Sequence, residues 1–147
     1  MIRRHALLGI GSGIAASALA SNLARADDPH KHVDDKTKPP TALHAAREAA
    51  ECSVECEKCY THCLQMVYDG KQEHVASAAA CLDCADICST TSRILGRKGA
   101  MVNIIRDACV QACTACALEC EKYPDHAMMK ECAATCRRCI EACKAVS

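Results

Sequence analysis

Four runs of cysteine dictate what this chain can become. Cys109, Cys113, Cys116 and Cys120 step by 4, 3 and 4 residues. On a helix of about 3.6 residues per turn, that spacing puts all four on one face. The same step recurs at Cys52, Cys56, Cys59 and Cys63, and again at Cys132, Cys136, Cys139 and Cys143. A shorter version sits at Cys81, Cys84 and Cys88, which accounts for all 15 cysteines. In a helical bundle such a stripe is the inward seam, normally Leu, Ile or Val. Those residues are scarce here. Phe and Trp are absent, and from Asp27 onward there are 17 Leu, Ile and Val against 15 Cys. Buried cysteine can act as a small hydrophobe, but this many exceeds what packing needs.

Residues 1–26 have the makeup of a targeting segment. Arg3 and Arg4 precede a mildly apolar, Gly- and Ala-rich run, and Ala24-Arg25-Ala26 fits a small-x-small cleavage site. The paired arginines resemble a twin-arginine signal, which implies export to the periplasm. The run is too short and too Gly-rich for a good membrane span, and no other stretch approaches one. Residues 27–40 are polar, with His30, His32, Pro39 and Pro40, and are expected to be a disordered arm. Beyond residue 26 the chain has 15 basic and 18 acidic side chains, a net charge of −3. With no basic stripe and almost no aromatic surface, nucleic-acid binding is not expected.

The remainder, 41–147, is expected to be one domain. Thr41, after two prolines, is a plausible N-cap for a helix reaching about Tyr68 and stopping at Asp69-Gly70. A second helix is expected from about Gln72 to Leu95, a third from about Ala100 to Lys122, and a fourth from about Asp125 to Val146, with Pro124 ending the third. The links are only a few residues long, so sequential helices are antiparallel neighbours. The expectation is an all-α, up-down-up-down antiparallel four-helix bundle with a cysteine-lined core. Glu48, Glu51, Glu55, Arg93, Lys122, Arg137 and Glu141 fall on outer faces and read as a solvated surface.

A tube of thiols invites disulfides or metal. Within one helix, Cβ atoms at i, i+3 or i, i+4 lie about 5–6 Å apart, too far for a disulfide, which wants about 3.5–4.5 Å. Bridges between helices are possible, but an odd cysteine count leaves one thiol over. Metal is the stronger reading, since thiolates suit Cu(I), Zn²⁺ and iron–sulfur clusters. Iron–sulfur sites favour compact loop motifs rather than long helical faces. Four thiolates around each Zn²⁺ leave a net −2, which is costly to repeat down a buried tube. One Cu(I) per thiolate leaves the core neutral. Thiol–disulfide redox catalysis is disfavoured, because these Cys-x-x-Cys pairs lie mid-helix rather than at an accessible helix N-terminus. A zinc or mixed-metal thiolate buffer and a disulfide-linked structural protein remain as alternatives.

The two ends of the tube differ. Extending the seams toward the links between helices 1 and 2 and helices 3 and 4 reaches Met66, His74, Tyr123 and Met129. His62, His126 and Met128 lie close by. Extending the other way reaches Ala45, Ala49, Leu95, Val102 and Val146, with Ile94, Ile104 and Ile105 nearby, an apolar plug. Met66 and Met129 either offer thioether ligands at a mouth or simply cap a core, and their convergence at one end favours the ligand reading. His74 is the weaker candidate and reads as a surface histidine.

From Ala42 to Val146 the chain resembles the copper storage proteins, cysteine-lined four-helix bundles. The sharpest local match is Cys59-Tyr-Thr-His62-Cys63-Leu-Gln-Met66, together with the repeated Cys-x₂-Cys and Cys-x₃-Cys steps. The resemblance implies many Cu(I) ions per chain, no enzymatic turnover, and a homo-oligomer, often a tetramer. It also implies that His62 and Met66 bind copper at the open mouth. The leader places the chain in the exported branch, with a copper chaperone or a cuproenzyme as the recipient. The chain departs from the family pattern in having His74 where a further mouth methionine would stand, and in its number of helix-2 cysteines.

Overall fold

The computed structural model describes residues 41–146. The expected signal peptide at 1–26, the arm at 27–40 with His30 and His32, and Ser147 lie outside them. Four α-helices follow in order: α1 Ala42–Tyr68, α2 Val75–Gly96, α3 Val102–Cys120 and α4 Ala127–Lys144. Each packs on two neighbours, α1 on α2 and α4, and α3 on α2 and α4. The four stand in a ring with alternating direction, the expected bundle.

Local chemistry sets the helix limits. Thr41 caps α1, its hydroxyl accepting from the His44 N–H at 3.3 Å. At the far end Gly70 takes φ +87°. There the Lys71 N–H bonds back to the Met66 carbonyl and the Gly70 N–H to that of Val67, a doubly bonded left-handed stop. The end of α2 repeats this pattern, Gly99 to Ile94 and Lys98 to Leu95. Here, however, the left-handed position is held by Lys98 at φ 53°, a conformation that side chains with a Cβ disfavour.

Some boundaries differ from expectation. The second helix opens as a 3₁₀ turn, Gln72–His74, before α2 proper. α3 closes at Cys120, short of Lys122, because the chain must leave helical geometry ahead of Pro124. α4 starts at Ala127 behind His126.

The core is mostly cysteine and alanine, and all 15 thiols are buried. Small side chains leave the backbones within reach of side-chain hydroxyls. The Ser53 hydroxyl donates across to the Ala85 carbonyl at 3.0 Å. Surface charges pair locally: Arg137 grips Glu121 with two bonds, and Arg138 reaches Glu51 at 2.8 Å and Glu48 at 3.7 Å. Exposed pairs of this kind contribute little. Among the described residues, no helix is long and apolar enough to cross a membrane.

Candidate metal centre

The seams converge on the bundle axis and form one connected sulfur network. At the plugged end Cys143 touches Cys109 at 3.8 Å, and Cys109 touches Cys139 and Cys88 at 3.7 Å. Cys88 lies 3.4 Å from Cys113, and Cys84 lies 3.7 Å from Cys113. Cys52 joins Cys113 at 3.8 Å and Cys136 at 3.7 Å. Cys56 sits 3.8 Å from both Cys116 and Cys132. Cys116 reaches Cys81 at 3.7 Å, Cys81 reaches Cys120 at 3.8 Å, and Cys120 reaches Cys59 at 3.8 Å. Met129 completes the path, its thioether accepting from Cys59 and from Cys63, each at 3.5 Å.

Within this network are five groups of four cysteines whose sulfurs all lie within 4.8 Å of one another. From plug to mouth they are Cys88/Cys109/Cys113/Cys139, Cys52/Cys84/Cys88/Cys113, Cys52/Cys56/Cys84/Cys136, Cys56/Cys116/Cys132/Cys136 and Cys59/Cys81/Cys120/Cys132. Cys143 and Cys63 fall outside, one toward each end. Soft metal–thiolate bonds of about 2.3 Å, taking Zn–S as a guide, bring sulfurs to nearly these separations. The donor set therefore fits soft metal ions without large rearrangement.

In the apo tube lowered thiols sit mostly against raised ones. Cys52 is held far below the ordinary thiol range by hydrogen bonding, with Cys113 the largest cause and Cys136 the next. Cys113 is pushed far above it, with Cys109 the largest cause. In the same way Cys116 is lowered, chiefly through Cys120, and Cys56 is raised, chiefly through Cys116. Near the mouth Cys63 is drawn down to about 3 by Cys59 and Cys81, with His74 adding to the effect. The cause is crowding. At the 3.8 Å between Cys52 and Cys113, two thiolates would repel by about 4 kcal/mol. Adjacent thiolates therefore disfavour one another, and among the lowered thiols only Cys116 and Cys132 touch, at 3.9 Å.

The mouth departs from expectation in detail. Met129 is fully buried within the sulfur network. The Met66 sulfur instead lies 3.6 Å from the Lys71 ammonium, on the exposed side. Met128 is half-buried against the core. His74 is not a surface histidine. It is 1% exposed and stacks on Tyr123 with ring centroids 4.1 Å apart. Its placement seven residues before Cys81 was the available signal, two helical turns along the same seam. His62 Nε2 faces His126 Nδ1 at 3.4 Å. At the other end Ala45, Ala49, Leu95 and Val146 are buried and Val102 is partly so. Ile104 stands in solvent, 64% exposed, and takes no part in the plug.

A bundle that buries this many free thiols in contact defines a thiolate protein for several metal ions. The family model for copper storage proteins matches residues 40–147, and the chain belongs to that family. It stores copper in its buried cysteine clusters and is not an enzyme. Two solved structures of a copper storage protein from Streptomyces lividans are similar, each at 29% identity with a TM-score of 0.62 over 70% of this chain. One, described as cytosolic and carrying five coppers, is covered over 89% of its length. The other, loaded with 10 copper equivalents, is covered over 81%. No curated protein matches significantly.

Proposed function

We propose that this chain is a periplasmic Cu(I) reservoir in which all 15 cysteines are ligands, with His62, Met66 and Met129 serving the mouth. The observation that carries this reading is the unbroken run of sulfur contacts from Cys143 to Cys63. Each Cu(I) offsets one thiolate, so the tube can fill without accumulating buried charge. Zn²⁺ in isolated four-thiolate sites would leave a net −2 at each and the buried tube anionic. The similar Streptomyces lividans protein was loaded with five and with 10 coppers, in keeping with graded filling.

Export rests on the Arg3-Arg4 leader, and a homotetramer rests on the family resemblance. The recipient is a copper chaperone or a cuproenzyme, and the store serves supply or buffering against toxicity. Anaerobic titration with Cu(I) and, separately, with Zn²⁺ tests the reservoir. About one Cu(I) per cysteine supports it, and saturation at one to three ions of either metal sinks it. Replacing Arg3 and Arg4 by Lys should block export, and thiol labelling of protein recovered from periplasm should find free thiols.

A further inference from the structure

The mouth of the tube is shut. Cys59, Cys63, Cys120 and Met129, the sulfurs that line it, are all fully buried. No ion reaches them unless something moves. The cover is built of rings. His74, from the 3₁₀ turn, is buried beside Cys63, near enough to bear on its thiol. Tyr123, from the link between α3 and α4, stacks on His74 with centroids 4.1 Å apart and planes 23° from parallel. His126, at the end of the same link, has its centroid 5.3 Å from that of His74. Two connecting segments on opposite sides of the bundle thus meet over the sulfurs.

The latch between them is a hydrogen bond. The Tyr123 hydroxyl donates to the Glu73 carbonyl at 2.8 Å, from one segment to the other. A further tie, His62 Nε2 to His126 Nδ1 at 3.4 Å, is longer than the about 2.7–3.2 Å such bonds prefer and holds less. Within the link, the Tyr123 N–H bonds to the Cys120 carbonyl and the His126 N–H to that of Tyr123. The second of these is internal to the link and travels with it. Closure is also opposed. His74 Nδ1 and, one helical turn on, Ser77 Oγ are buried without a hydrogen-bond partner, a state that buried polar groups avoid. Opening would bring water to His74. The shut state therefore rests on a few small interactions and is resisted by others, the balance a gate needs.

We propose that Tyr123 is the gate residue of the store. Bonded to the Glu73 carbonyl and stacked on His74, it holds the mouth shut. Released, it lets the α3–α4 link swing away and uncovers Cys63 and Met129. Its role in loading rests on the proposed passage of copper through this mouth. A phenol is a hard oxygen donor and a poor match for Cu(I), so Tyr123 acts on access rather than on affinity. The thiols set how much the store holds, and one ring sets how fast it exchanges.

The test reads opening at each end of the tube separately. The full apo protein is alkylated anaerobically with iodoacetamide, and initial rates at Cys63 and at Cys143, beside the plug, are taken from peptide masses. Tyr123→Phe keeps the ring and loses the latch, and should speed labelling of Cys63 about 2- to 10-fold with Cys143 unchanged. Tyr123→Ala loses the stack as well and should speed it about 10- to 100-fold. Tyr68→Phe, on an exposed ring at the end of α1, should change neither. Cu(I) uptake from a chelated donor should quicken in the same order, with capacity unchanged. No change at Cys63 in Tyr123→Phe overturns the gate. So do equal gains at Cys63 and Cys143, which would mean a loosened bundle. Faster labelling of Cys63 alone, with copper uptake unchanged, upholds the gate and sinks copper entry at the mouth instead.

Discussion

Loading this tube with copper should expel protons, and the structure sets how many. Nine thiols, Cys56, Cys59, Cys81, Cys84, Cys88, Cys113, Cys120, Cys136 and Cys143, are pushed above the ordinary thiol range. Five, Cys52, Cys63, Cys109, Cys116 and Cys132, are held below it. The roughly 4 kcal/mol repulsion between adjacent thiolates corresponds to about three pKa units, enough to keep the raised set protonated at pH 7. Each Cu(I) seated on a raised thiol must displace its proton, whereas one seated on a lowered thiol displaces none. Full loading at pH 7 should therefore release about 0.6–1 proton per copper. Protons compete for the raised sites, so average affinity falls as pH falls, by about 15- to 100-fold from pH 7 to pH 5. An indicator dye in weakly buffered anaerobic solution reads the protons, and chelator competition at the two pH values reads the affinity. Release below about 0.3 proton per copper would mean that the apo thiols are already ionised, and would refute the crowding argument.

Three further outcomes follow from particular residues. Leu95→Ala, at the fully buried plug, should cost the apo protein about 3 kcal/mol and lower its melting temperature by about 10–20 °C, with copper capacity unchanged; a shift under about 2 °C by circular dichroism would show that the plug does not hold the bundle. Lys98→Gly removes a Cβ from the left-handed position that ends α2 and should stabilise the protein by about 0.5–1 kcal/mol, read from denaturant midpoints; destabilisation would contradict the strain. His62→Ala with Met66→Ala should change the rate of Cu(I) uptake or chelator-driven release more than the amount bound; unchanged kinetics would place the route elsewhere, and loss of most capacity would make these residues structural for the whole tube.

The cysteine register made the bundle and its lining legible in the sequence, because a 4-3-4 step has one helical face and sulfur cannot hide from a count. Helix limits were legible where a single residue forces them, as Thr41 and Gly70 do. They blurred at Gln72, where a 3₁₀ turn and an α-helix share the same local preferences. The mouth was only half legible. Spacing put Met129, His74 and Tyr123 at the mouth, yet nothing local says that Tyr123, in the α3–α4 link, stacks on His74. The same blindness hid Lys71, whose ammonium reaches the Met66 sulfur. Both depend on how α1, the 3₁₀ turn and the α3–α4 link meet in space.

The overlap among the five four-cysteine groups constrains how the store fills. Cys52, Cys56, Cys84, Cys88, Cys113, Cys132 and Cys136 each belong to two groups, so at most three groups, Cys88/Cys109/Cys113/Cys139, Cys52/Cys56/Cys84/Cys136 and Cys59/Cys81/Cys120/Cys132, can be held whole at once. The first ions can enjoy generous coordination; every later one must share sulfurs, and existing ions must give some up. Occupancy then behaves like tenancy in rooms with common walls. Ligand number per copper declines as the tube fills, and the latest arrivals are the most loosely held. A partly full store grips tightly and a crowded one gives readily, so the affinity seen by a recipient is set by how much copper is already inside.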